Sequence, residues 1–394
     1  MAVISIIGGG PAGMMAAIKA SECLAASSRD NHKVVLYDKN DNLGRKIYLT
    51  GRGRCNITNM RPWNEFAPHI HPNQSFLKHA FHAFSNEDVR AFIESLGVPT
   101  VLQRGQRLFP ASLKAADVAR ALEKKVRSSS VEVVTRSLEL QDVRNLLDQG
   151  PVIIATGGKS YPVTGSTGDG YGFASALGHD ISTLFPSETA LLPKEYPLAL
   201  SGLGLKNVAL ALYVDKDCVQ REEGDFDFTG DGIESAIAYK ISRKAVWALV
   251  NGQRVEVSLD LKPALSVAQL EARIEREISQ GRNSMRTLLR SLMPEVMIGP
   301  FMDQHRGLST DSLASALKDW RFRIESYKGY DRAVVTAGGV SLKQVSPKTM
   351  ASKICPGLFF AGEVLDLDGD TGGYNLQIAF STGALAGSSA AAML

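Results

Sequence analysis

The stretch ISIIGGGPAGMMAAIKASE passes from a β-branched run directly into a helical pattern, with Gly8-x-Gly10-x-x-Gly13 at the junction and Pro11 and Ala12 between its last two glycines. A strand that becomes a helix within so few residues needs a glycine at the turn. A second glycine lets the backbone approach a pyrophosphate, and a third lets helix and strand pack closely. The helix N-terminus adds partial positive charge facing any phosphate held there. A second apolar strand, KVVLYDKN, ends at Asp38, 25 residues beyond Gly13. A carboxylate at that point can accept a hydrogen bond from a ribose hydroxyl. Strand, glycines, helix, strand and acid stand in the order of a dinucleotide-binding unit, although a glycine-rich turn without a ligand explains any one of them alone.

At 394 residues the chain is too long for one small core, and a multi-part architecture is expected. A formal charge of +3 is too small to imply nucleic-acid binding from bulk electrostatics, so any basic surface must be local. One candidate is Arg282, Arg286 and Arg290, whose four-residue spacing reads as a basic ridge on a helix: a solvated face, or a contact for a polyanion such as RNA. The four cysteines are far apart and form no CxxC or Cys/His cluster, which fits reduced thiols and a cytoplasmic location. His69 and His71 flank Ile70, and His79 and His82 follow, but no carboxylate or cysteine nearby completes a ligand set, so no metal is expected. The N-terminus lacks the basic region of a signal peptide, and no apolar run is long enough to span a membrane.

Later segments bear on which dinucleotide is bound. PVIIATGGKS is a buried-strand pattern that ends in Ala155, Thr156 and Gly157. Near the C-terminus GLFFAGEVLDLDGDTGGYNLQIAFSTG supplies a strand ending at Gly362 and Glu363, then Gly372 and Gly373 opening a last helix that begins with Tyr374 and Asn375. A nicotinamide domain keeps its fingerprint in one contiguous segment. A flavoprotein returns late in the chain to bring a helix N-terminus to the flavin, where partial positive charge stabilises the reduced ring. FAD is therefore the expected cofactor.

The segments GRKIYLTGRGRCNITN, IIATGGKSYPVTGSTGDGYGFASALGH and AGEVLDLDGDTGGYNLQIAFSTG closely resemble the BaiN/RdsA (aminoacetone oxidase-like) family of NAD(P)/FAD-dependent oxidoreductases. The resemblance implies an α/β fold: a discontinuous, glutathione-reductase-like FAD-binding Rossmann domain with an inserted β-rich domain and a small helical domain. The boundaries implied are 1–190 and 335–394 for the FAD-binding domain, 191–262 and 321–334 for the β-rich domain, and 263–320 for the helical insertion. Carried over by position, Gly8, Gly10, Pro11, Ala12 and Gly13 would hold the pyrophosphate, and Asp38 with Lys39 the adenosine ribose. Gly44, Arg45, Lys46, Gly51, Gly53, Arg54 and Cys55 would line the flavin phosphates and the edge of its ring, with Arg52 left as a substrate contact or a surface residue. Ala155, Thr156 and Gly157 would pass the adenosine half, while Gly362, Glu363, Gly372, Gly373, Tyr374 and Asn375 would meet the ribityl chain and isoalloxazine.

No catalytic residue is identified by pattern; Cys55 and Tyr374 are the candidates. A thiol beside a flavin and arginines would have a lowered pKa and could donate a proton, whereas a small residue packed beneath the cofactor is the plainer reading. The resemblance implies hydride transfer through flavin N5 to or from a C=C or C=N substrate, with NADPH or NADH as a transient donor. An RNA-binding or RNA-modifying flavoprotein that reduces uridine, and a flavin-free nicotinamide dehydrogenase, are the alternatives. The family's FTHxGxSGP-like stretch is replaced here by FTGDGIESA, Phe228 to Ala236, so substrate identity does not carry over. Neither the substrate, small molecule or RNA, nor the oligomeric state is encoded in these patterns.

Overall fold

The computed structural model describes residues 2–27 and 32–394. The chain divides into two compact units, one of residues 1–185 and 334–394 and the other of residues 186–333.

The first unit is built on a five-stranded parallel sheet. Its order is Leu358–Phe360, Val152–Ile154, Val3–Ile7, Lys33–Asp38 and Val131–Thr135. The three inner strands are rich in Val, Ile and Leu because helices cover both faces of a parallel sheet. The first helix, Pro11–Ala26, has Gly10 as its N-cap and Pro11 in its first turn, where the missing N–H costs nothing. Against it lies the last helix, Tyr374–Met393. A Cβ at Gly383 would stand 2.3 Å from the Ala12 carbonyl oxygen, and one at Gly387 2.2 Å from that of Ala16. The small-residue tail of the sequence is thus a buried helix whose glycines set the closeness of the pair.

Smaller elements complete this unit. An antiparallel sheet joins Thr58–Asn59, Arg107–Pro110 and Thr100–Gln103. A two-residue ladder pairs Ile70–His71 with Asp368–Gly369. The segment LQDVRNLL forms a short helix, Leu140–Leu147, opened by a capping box between Glu139 and Asp142.

The second unit is a closed six-stranded barrel in the order Leu191–Pro193, Gly232–Glu234, Asp217–Thr229, Gly204–Val214, Val255–Asp260 and Trp320–Tyr327, which pairs back to Leu191–Pro193. Inward alternation gives it an aromatic core: Phe226, Phe228, Trp320 and Phe322 are buried, with the Phe226 and Phe228 rings 4.8 Å apart. Four helices, Val267–Ser279, Met285–Arg290, Glu295–Gln304 and Thr310–Lys318, lie between its last two strands. They belong to the same compact unit as the barrel. Trp320 Nε1 donates to Gln304 Oε1 at 2.7 Å and Lys318 reaches Asp260 at 2.9 Å, tying helices to strands.

The expected basic ridge is broken. The chain turns at Gly281 with φ of 91°, which leaves Arg282 outside the helix Met285–Arg290 and bonded to Glu277. Arg286 and Arg290 both reach Glu295, at 3.2 and 2.6 Å. Each arginine of the series therefore has a carboxylate partner. Among the described residues no helix is long and apolar enough to cross a membrane.

Candidate dinucleotide site

The three motif glycines do different physical work. Gly8 has φ of 106°, and a Cβ there would sit 2.5 Å from the Ala155 carbonyl oxygen. At Gly13 a Cβ would come within 1.8 Å of the Gly8 oxygen. Both are glycine because backbone passes against backbone. Gly10 differs: a Cβ there meets nothing within 4 Å. It faces a cavity that is open to solvent. No side chain caps the N-terminus of the helix that Gly10 opens, and its first turn holds no acidic residue. The unpaired N–H groups of a helix start are thereby left for an anionic ligand.

The cavity wall gathers residues from six separate segments. Gly8, Gly10, Pro11 and Ala12 come from the first turn, and Asp38 and Lys39 from the end of the second strand. Gly44, Arg45 and Lys46 follow the second strand, and Ala155, Thr156, Gly157 and Glu363 close the ring of contacts. Gly13 lies behind the turn and shapes it without facing the ligand space.

Asp38 is more heavily engaged than its sequence position shows. One carboxylate oxygen accepts the Gly9 N–H at 2.6 Å; the other accepts the Asn40 backbone and side-chain N–H groups at 2.7 and 2.9 Å. It braces the glycine turn and keeps acceptor capacity for a ribose hydroxyl. The basic residues are likewise held in place. Arg45 donates to Asn40 Oδ1 at 2.5 Å, and Lys39 reaches Thr167 at 2.6 Å and Asp169 at 2.7 Å. Burial raises the pKa of Asp169, but the bonds from Lys39 and Thr167 outweigh it and hold the carboxyl below its usual value. Lys46 bonds the Ser160 hydroxyl and pairs with Glu363 at 2.8 Å. The second Glu363 oxygen accepts from Ser160 Oγ and from the Thr336 N–H, both at 2.9 Å.

These features fit the phosphate and adenosine portion of FAD. Gly10 leaves room, the helix start is uncapped, Asp38 has acceptor capacity, and the buried Thr156 hydroxyl on the cavity wall has no hydrogen-bond partner. Residues that local reading missed also line the cavity, among them Asn40, Arg136, Ser166 and Asp169. Asp169 sits in GSTGDG, whose glycine spacing matches no phosphate loop; only its fold position brings it here.

Other motif residues stand elsewhere. Gly51, Gly53, Arg54 and Cys55 are not on the cavity wall. Arg54 Nε donates to the Gly51 carbonyl at 3.2 Å, and its guanidinium lies 5.2 Å from the centre of the Phe109 ring. The left-handed conformations of Gly51, Arg52 and Cys55, with φ of 57°, 56° and 59°, coil this segment tightly. Cys55 ends fully buried, and burial pushes its thiol up to about 12, partly offset by a hydrogen bond with Thr50. Of the two readings of Cys55, the reactive low-pKa thiol gives way to the plainer one of a small packed residue, because desolvation disfavours the thiolate. Iodoacetamide at pH 8 is expected to label exposed Cys218 and leave Cys55 untouched in the native protein, as peptide mapping would show.

Apart from Glu363, the C-terminal motif residues also lie off the cavity wall. Gly362 has φ of 77°, and a Cβ there would meet that of Ala12 at 2.7 Å. Gly373, φ 102°, caps the last helix, and a Cβ there would lie 2.5 Å from the Thr58 backbone; Gly372 beside it has φ of 132°. Asn375 accepts from the Gly369 N–H and donates to the Gly369 carbonyl, each at 2.8 Å. Tyr374 is buried between Phe66, 4.8 Å away, and His69, stacked at 4.4 Å. Burial pushes its phenol up to about 12, so it is neutral at physiological pH.

Beside Tyr374 stands a cluster that the sequence did not show. His69 Nδ1 lies 2.8 Å from one oxygen of Asp370 and His71 Nε2 lies 2.9 Å from the other. The carboxylate comes from about three hundred residues away, delivered by the short ladder between Ile70–His71 and Asp368–Gly369. Burial raises the pKa of Asp370, but the hydrogen bonds and charges of the two imidazoles win and hold it at about 2.

The family model of the HI0933-like protein Rossmann domain matches residues 2–389. A 3-dehydro-bile acid delta(4,6)-reductase of Clostridium scindens is 30% identical over 411 residues, covering 98% of each chain. A ribosomal RNA dihydrouridine synthase of Haemophilus influenzae is 29% identical over 418 residues, covering 96% of this chain and 95% of its own. Among solved structures, the 3-ketosteroid delta1-dehydrogenase of Sterolibacterium denitrificans shares the fold, with a TM-score of 0.50 at 10% identity over 100% of both chains. The parallel sheet, the glycine turn with its uncapped helix and a match over nearly the whole chain agree: this protein has the α/β Rossmann-type FAD-binding fold and belongs to the HI0933-like family.

Proposed function

We propose that the protein is an FAD-dependent oxidoreductase that reduces a carbon–carbon double bond conjugated to a carbonyl group. The observation that carries this reading is the cavity itself: Gly10 faces open space at an uncapped helix N-terminus, with Asp38 at its rim. Two relatives give the reaction class. One is named for reducing a bile acid at delta(4,6), the other for making dihydrouridine, which is uridine with one ring double bond reduced. A dienone and a uracil ring are unlike in shape but alike in chemistry, since each is a polarised double bond that accepts hydride at one end and a proton at the other.

Bound there, FAD supplies the two-electron hydride chemistry. The chain's own residues bind and orient. Gly10 and the first helical turn hold the pyrophosphate, Asp38 steadies the turn and accepts from the ribose, and the Lys46–Glu363–Ser160 network fixes the cavity wall. Burial keeps the Tyr374 phenol and the Cys55 thiol protonated at physiological pH.

The visible spectrum of the purified protein, recorded anaerobically before and after NADPH, tests the reading. A flavin band that bleaches supports a reductase supplied by a nicotinamide. A band that persists turns the search to another donor. A protein that stays colourless after FAD is added sinks the proposal and favours a flavin-free dehydrogenase.

A further inference from the structure

The His69–Asp370–His71 cluster has no part in the cavity and is more elaborate than a loop brace requires. Asp370 is locked to His69 twice: its N–H donates to the His69 carbonyl at 2.9 Å, and its carboxylate meets Nδ1 at 2.8 Å. With Nδ1–H directed at a carboxylate, the working nitrogen of His69 is Nε2. Stacking on Tyr374, the first residue of the last helix, fixes the plane of the ring. Yet the side chains of His69 and His71 remain 28% and 27% exposed, so both rings are oriented from within and open to solvent on one side. A carboxylate that holds one imidazole nitrogen while the other stays available is the arrangement of a positioned proton donor.

We propose that His69 is the proton donor of the reaction and that Asp370 is its positioning residue, a role that rests on the reading of the protein as a double-bond reductase. In the step assigned to it, the substrate would gain a hydride, the chemistry FAD supplies when bound and reduced, at the carbon remote from the carbonyl. The electron pair of the double bond moves toward the carbonyl. The proton on Nε2 of the His69 imidazolium then passes to the adjacent carbon, completing the C–H bond. His69 is left as the neutral Nδ1–H tautomer, still bonded to Asp370, and recovers its proton from water. The charged and titratable groups around the pair are Asp370, His71, Tyr374, Arg61 and Glu65. Of these, only Asp370 and His71 belong to the hydrogen-bonded set.

The test uses the FAD-loaded full chain, reduced with dithionite and mixed anaerobically with a 3-oxo-Δ4,6 bile acid, with flavin reoxidation followed by stopped flow. In the His69→Ala protein the reoxidation rate is expected to fall by about 100-fold, the usual scale for a lost general acid. Added imidazole should restore part of it. Asp370→Asn should shift the pH profile of the same step. FAD content and thermal unfolding midpoint are recorded for each variant, so that a folding defect is recognised. If His69→Ala reacts within threefold of wild type, the role of His69 is refuted while the reductase reading stands. If the rate falls with FAD content and imidazole restores nothing, the cluster is a brace and the proposal is overturned. If the dienone leaves wild-type reduced flavin untouched, the reductase reading fails for this substrate class and the assignment to His69 falls with it.

Discussion

Gly10→Val is expected to leave the protein folded and to remove FAD binding. The position has φ of −75° and ψ of −177°, a conformation any residue adopts, and an added Cβ meets nothing within 4 Å. The cost to folding is therefore confined to a poorer helix cap, on the order of 1 kcal/mol. The side chain instead fills the space before the helix N-terminus, where a pyrophosphate must come close to backbone N–H groups. A loss of at least about 100-fold in FAD affinity is expected, equivalent to about 2.7 kcal/mol. Thermal unfolding with and without FAD separates the two effects. Wild type should gain stability as FAD saturates it, whereas the variant should unfold at nearly the same temperature with or without the cofactor. A variant that retains FAD would show that the cavity holds something else. Gly13→Ala makes the contrast, since its Cβ would lie 1.8 Å from the Gly8 oxygen and the turn itself cannot form.

Gly387→Val should have the larger effect on stability. A Cβ at Gly387 would stand 2.2 Å from the Ala16 carbonyl oxygen and 2.9 Å from its carbon, both backbone atoms of the first helix. Backbone cannot step aside as a flexible side chain can, so the last helix must move away from the first along the length of the contact. Overpacking of this kind costs about 3 kcal/mol, and valine adds two more methyl groups than the minimum. Urea unfolding of the FAD-free protein should show a lowered midpoint with an unchanged slope. Gly383→Val touches Ala12, a residue of the cavity wall, and is expected to lower FAD affinity as well. If Gly387→Ala is accepted at no cost, the helices are not held at this distance by the glycines.

How far the site was legible depended on how local its chemistry is. The turn at Gly8, Gly10 and Gly13 was readable because strand, turn and helix are neighbours in sequence and each glycine answers a steric demand set within a few residues or by the next strand. Asp38 was readable by spacing, but its service to the Gly9 and Asn40 N–H groups was not. The run GRKIYLTGRGRCN was read as lining the flavin phosphates and the edge of its ring, with Arg52 left as a substrate contact or a surface residue. Its first residues do line the cavity, while positive φ at Gly51, Arg52 and Cys55 coils the rest away and seals the thiol. A three-arginine ridge drawn at helical spacing failed because the chain turns at Gly281 before the helix begins.

Glycine spacing and β-branched runs express constraints between near neighbours, and from these the chain declares a dinucleotide-binding α/β unit and a late return to it, while the β-rich insertion was implied by the family resemblance. Closure of the barrel, the pairing of the first and last helices and the meeting of His69 and His71 with Asp370 depend on contacts between distant segments. Such contacts form only when burial of the whole core repays the entropy of closing long loops, so no short stretch of residues carries their signature.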